Sequence, residues 1–193
     1  MALRIKSSWH QSDREGNEAA RKGLEEQAGA LAFIAWRIAL DRAKNLHGED
    51  YIFNDDMQRI AVICEYLAYE VALIDRMVFD GLSYEEREVL MNALGQRVGD
   101  HVQDNAQDLF GPRDYKSGFI DNLNDRLNAY AEFGYGDGGP SYSFNHYLGK
   151  RVQALMGVDQ TNKWSIDQAM EIDAPETYKR VRKAVEDLMM TAG

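Results

Sequence analysis

The sequence predicts an all-α fold, a single-domain bundle of six or seven helices, and three observations carry that expectation. Apolar residues recur at helical spacing through most of the chain. Only three prolines, Pro112, Pro140 and Pro175, interrupt it. No window alternates apolar and polar residues over strand length, apart from a scrap at Tyr51-Ile52-Phe53. At 193 residues, with 45% hydrophobic and 28% charged side chains, the chain is long enough for one sizeable core and short for two. One domain over 1–193 is expected, with a poorly ordered N-terminal arm over 1–16.

Leu24, Ala28, Leu31, Ala35 and Ile38 form a stripe that predicts a first helix from about 17 to 46, closed by His47-Gly48. The second, about 55–79, carries Ile60, Ile63, Leu67, Val71, Ile74 and Val78 on one face. Val62, Tyr66, Tyr69, Leu73 and Met77 lie on the other. A helix apolar nearly all round belongs at the centre of the fold. Ser83-Tyr84-Glu85-Glu86 is a capping box that opens a third helix, which Gly111-Pro112 stops. Asp114 can cap a fourth, with Phe119, Leu123, Leu127 and Tyr130 inward. A Gly-rich loop follows over 134–142. A fifth helix restarts near Ser143, a short one spans Ser165 to Met170, and Asp173-Ala-Pro-Glu176 begins the last, with proline in the first turn.

Charge and cysteine content narrow the function. Thirty-two acids against 22 Lys and Arg leave a net charge of -10, which argues against nucleic acid or an anionic membrane as a partner. The lone Cys64 rules out a disulfide framework and multi-cysteine metal sites. The N-terminal MALRIKSSWHQSDRE holds no apolar core of signal-peptide length, so a cytoplasmic protein is expected.

The segment Gly134-Tyr-Gly136-Asp-Gly-Gly139 fits the dinucleotide pattern G-x-G-x-x-G by letter only. That motif works between a strand and a helix, whereas this one follows a helix and places Asp137 against the phosphate. Aromatics concentrate around it: Tyr130, Phe133, Tyr135, Tyr142, Phe144 and Tyr147, with His146 among them. They suit either a ligand pocket or the pinning of a loop to the core. Arg37, in AGALAFIAWRIAL, and Glu70, in ICEYLAYEVALI, read as buried charges that need partners. Asp41 stands one turn beyond Arg37, in ion-pair register. His101 with Asp104 is the remaining acid–base candidate. Neither HExxH nor Glu-x-x-His occurs, so no metal is expected, and no cofactor motif is present. Arg42 and His47 have the Arg-x4-His spacing of helical HEPN ribonuclease domains, but Ala43 stands where those carry a polar residue.

The segments GALAFIAWRIALDRAKNLH, DHVQDNAQDLFGPRDY, LNDRLNAYAEFG and TNKWSIDQAMEI resemble those of a family of uncharacterised bacterial all-helical proteins with no assigned activity. The resemblance implies a helical fold and a bacterial, cytoplasmic setting, and it transfers no functional residue. Two functions follow as expectations. The first is a non-catalytic protein that works through protein association, as a homodimer. The alternative is a small-molecule-binding protein or enzyme with an interhelical pocket. There Arg37 and Asp41 would anchor the ligand and Glu70 or His101 would move protons. Tyr135 or Tyr142 would form a lid hinged at Gly134 and Gly138, with His146 a further ligand-binding candidate.

Overall fold

The computed structural model describes residues 3–6, 18–159 and 161–189. Six long helices build it: α1 (Glu18–Gly48), α2 (Asp56–Val78), α3 (Tyr84–Phe110), α4 (Lys116–Ala131), α5 (Tyr142–Met156) and, after a single turn α6 (Ser165–Asp167), α7 (Ala174–Met189). The fold is an all-α single-domain bundle. Its centre is α2, which packs against α1, α3, α4, α5 and α7 and is buried without a break from Glu65 to Ile74.

The helix ends follow their local chemistry. Asp55 accepts from the Gln58 amide at the start of α2. Ser83 and Glu86 exchange both bonds of a capping box at the start of α3. Asp114 accepts from the Ser117 amide at 3.0 Å, where α4 begins, and Ser141 accepts from Phe144 at the head of α5. Gly111 and Gly157 close α3 and α5 at φ 85° and 87°, a region where only glycine is unstrained.

Three features depart from the sequence expectation. Residues 3–6 do not form a loose arm. Ile5 is 1% exposed, its amide donates to Asn124 Oδ1 at 2.7 Å, and its carbonyl accepts from Asn124 Nδ2 at 2.9 Å. The Lys6 amide donates to Asn92 Oδ1. A Cβ on Gly95 would stand 2.6 Å from Ile5 Cγ2, so α3 is smooth where the segment lies. Residues 1–2 and 7–16 of the expected arm fall outside the described residues.

The second departure is in the Gly-rich loop, which holds a two-residue hairpin, β1 (Tyr135–Gly136) against β2 (Gly139–Pro140). Gly139, at φ 95°, lies flat on the Tyr178 ring, where a Cβ would fall 2.6 Å from Cζ. Residues 51–53, by contrast, form no strand.

Third, the chain does not break before Pro175. A π-helical segment, Gln168–Asp173, carries α6 into α7. Proline provides no amide and its ring crowds the carbonyl four residues back, so a widened turn just before it keeps the chain helical.

Asn124→Ala removes both bonds to Ile5. The expected cost is about 1–3 kcal/mol in urea unfolding, the scale of stranding buried backbone groups. Hydrogen exchange of the Ile5 amide should rise to the rate of an unprotected one.

Candidate functional site

The polar residues of α2 organise the interior. Glu65 and Glu70 are five residues apart and therefore about 140° apart around the helix, so they meet different neighbours. Glu65 is 3% exposed. From α4, Arg126 reaches it with Nε at 2.8 Å from Oε2 and Nη2 at 2.9 Å from Oε1. From α5, Arg151 contributes two contacts, both 3.3 Å, to the same Oε1. Hydrogen bonding to Glu65 holds the Arg126 guanidinium above its ordinary pKa. Glu70 is fully buried, and neither of its oxygens has a hydrogen-bond partner among the described residues. Burial pushes its carboxyl well above the usual carboxylate range, against the opposing pull of Arg180 and Arg42.

A second buried network lies beside the π-helical segment. Tyr66 donates to Asp173 Oδ2 at 2.5 Å, and Arg42 stands 3.5 Å from Asp173 Oδ1 and 2.5 Å from Glu176 Oε2. Burial raises the Asp173 carboxyl, while the Tyr66 bond and Arg42 pull it back.

The expected site does not assemble. Arg37 is exposed, its guanidinium 5.9 Å from the Phe33 ring centroid. The reason is angular: Arg37 follows the buried Ala35 by two residues, about 200° around α1. Arg42, seven residues after Ala35, is the buried arginine of this helix. Asp41 pairs with Arg180 of α7 at 2.9 Å rather than with Arg37. His101 is half-buried, stacked on Trp36 at 5.8 Å between centroids, and Asp104 is exposed. Arg37 and His101 both border the Phe33 ring, whereas Glu70 is enclosed in the core with no hydrogen-bond partner among the described residues, so the structure does not bring the three together at one site.

The aromatic residues near the hairpin pin it to the core. Tyr130 packs on Phe144 at 4.5 Å and edge-on to Tyr147 at 5.0 Å. Tyr135 is half-buried against Phe144 and bonded to Tyr178. Tyr142 is 70% exposed and stacks on His146 one turn along α5, at 5.5 Å. Neither tyrosine lines the clefts described next.

Two clefts flank the N-terminal half of α2 and share Ile60. One, of about 490 Å³, opens between α2, α3, α4 and α5 over Glu65, Arg126 and Arg151. The other, of about 840 Å³, lies between α1, α2 and α3 against Trp36, Ile52 and Leu109. Cys64 lines the first. Desolvation, with the Glu65 charge beside it, pushes its thiol up to about 12, so it carries no nucleophilic thiolate at neutral pH. No group of three or more His, Cys, Asp or Glu among the described residues is placed to hold a metal ion. None of the helices described is long and apolar enough to cross a membrane.

Fold and site together define a helical bundle with an apolar, arginine-floored cleft. No protein-family model, curated protein or solved structure matches the chain.

Sequence reasoning passed over Glu65, Arg126 and Arg151, and met Arg42 only in the Arg-x4-His spacing with His47. One signal was available for Arg42, which continues the line Ala28, Ala32, Ala35, Ala39 toward Leu46 in alternating four- and three-residue steps. Glu65 sits in an apolar helix as Glu70 does, and only the neighbouring helices tell the paired carboxylate from the unpaired one.

Glu70 gives a signed pH prediction. An acid whose folded pKa lies above its unfolded value, near 4.5, contributes stability that is fully present below that value. The contribution is lost as pH rises toward the folded pKa. Glu70→Gln removes the loss, so at pH 7.5 the variant melts higher than the parent, by about 2–4 °C for each kcal/mol relieved. The gap closes as pH is lowered through 4.5, and calorimetry across pH measures it.

Proposed function

We propose that the protein acts by association rather than catalysis, as a homodimer joined through the end of the bundle that carries the two clefts. The observation that supports this reading is the distribution of exposed apolar side chains. Ten large ones are exposed among the described residues, and half of them gather at this end: Ile52, Met57, Leu109, Val158 and Trp164. Ile52 and Leu109 rim one cleft and Met57 the other. Asn162 holds both the amide and the carbonyl of Ile52 at 3.0 Å, which fastens that residue to the loop bearing Val158 and Trp164.

Contiguous exposed apolar surface marks interaction sites, and a two-fold interface requires a patch that complements itself. A chain of net charge -10 repels its own copy unless the contact carries both signs. The rim does so, with Lys44, Arg59 and Arg113 set among Asp55, Asp56 and Asp108. Two copies can therefore oppose unlike charges around an apolar centre.

Native mass spectrometry at micromolar concentration tests the reading. The expected result is a species of twice the 22.0 kDa chain mass, and conversion to single chains by Met57→Asp with Leu109→Asp, at unchanged helical content. A wild-type chain that stays single at these concentrations refutes the dimer.

A further inference from the structure

We infer that the cleft between α2, α3, α4 and α5 is a binding site for a small amphiphilic monoanion, a molecule with an apolar body and one carboxylate head. Its walls are Ile60, Val102, Phe110, Phe119 and Leu155, and its floor is the Glu65–Arg126–Arg151 cluster. The volume of about 490 Å³ falls within the ~300–1,000 Å³ of small-molecule sites, which combine apolar walls with a few placed polar groups.

The charge of the cleft selects the head group. Three arginines, Arg113, Arg126 and Arg151, line it against two carboxylates, Glu65 and Asp114. The excess is one positive charge, in a chain whose sum is -10. Asp114 is already engaged by the Ser117 amide, which holds its carboxyl below the usual range. Arg126 engages both Glu65 oxygens at close range. Arg151 reaches only Oε1, at 3.3 Å, and its side chain stays 33% exposed. Its guanidinium retains N–H donors for a second, planar acceptor, and a carboxylate matches that fork. One surplus charge at the foot of apolar walls suits one anionic head and an apolar tail. It does not suit a polyphosphate.

The cleft shares Met57 and Arg113 with the proposed dimer rim, but the anchor argued here is Arg151 on its floor, so decanoate binding and chain mass are read separately. The test is isothermal titration of the full chain with decanoate below its micelle point, beside decanol and decyltrimethylammonium. Decanoate is expected to bind saturably, one per chain, and the two other decyl compounds to bind at least about tenfold more weakly, the loss of one charge-assisted contact.

Arg151→Met leaves the Glu65–Arg126 pair intact and should weaken decanoate by about tenfold or more. Gly118→Leu serves as the second variant. A Cβ there meets nothing within 4 Å, leucine favours the helix, and the side chain occludes the cleft that Gly118 lines. It should abolish decanoate binding while the circular dichroism spectrum stays that of the parent. The proposal is overturned if decanoate does not bind saturably, if decanol or the cation binds as tightly, or if either folded variant binds decanoate like the parent.

Discussion

The structure depends on a constraint that α2 imposes: a helix buried on every side can keep polar residues only if other helices come to meet them. Most polar side chains along the buried part of α2 are met by a neighbouring element. Glu65 draws Arg126 from α4 and Arg151 from α5. Tyr66 fixes Asp173 in the π-helical segment, and Tyr69 donates to Asn145 of α5. Asp75 takes a bidentate fork from Arg87 of α3, both contacts at 2.7 Å. Arg76 donates to the carbonyls of Tyr130, Ala131 and Phe133 where α4 ends. Apolar burial supplies the driving force, but it is non-directional. These bonds determine which helix lies where.

Glu70 is the exception to that pattern, and the contrast with Glu65 is informative. Both are buried carboxylates on one helix. The first is unpaired and favours its neutral form, while the second is met by two guanidiniums. Only the second borders a cleft. The interior therefore holds one polar position that is closed and costs stability, and one that is shared with a cavity. Arg126 and Arg151 gather at the shared one.

How much of this the sequence reveals depends on the range of the interaction. The helices and two of their caps were legible, because Ser83 with Glu86, and Asp114 at the head of α4, act within one turn. The central position of α2 was legible from its two apolar faces. Arg37 was misjudged because a run of apolar neighbours says nothing of angle, and the helical period places it on the solvent side. The hairpin escaped notice because two-residue strands leave no alternation to see. The pairing of Glu65 with residues 61 and 86 positions away has no local mark at all. The candidate site was for that reason largely illegible, while the fold was not.

The clamp on Ile5 bears on how the chain is made. Its partner Asn124 lies 119 residues further on, and Asn92, which takes the next amide, lies 86 residues from Lys6. Residues 3–6 leave the ribosome before either asparagine exists, and their seat needs both α3 and α4 in place. A segment made before these two helices is thus seated only once both have formed.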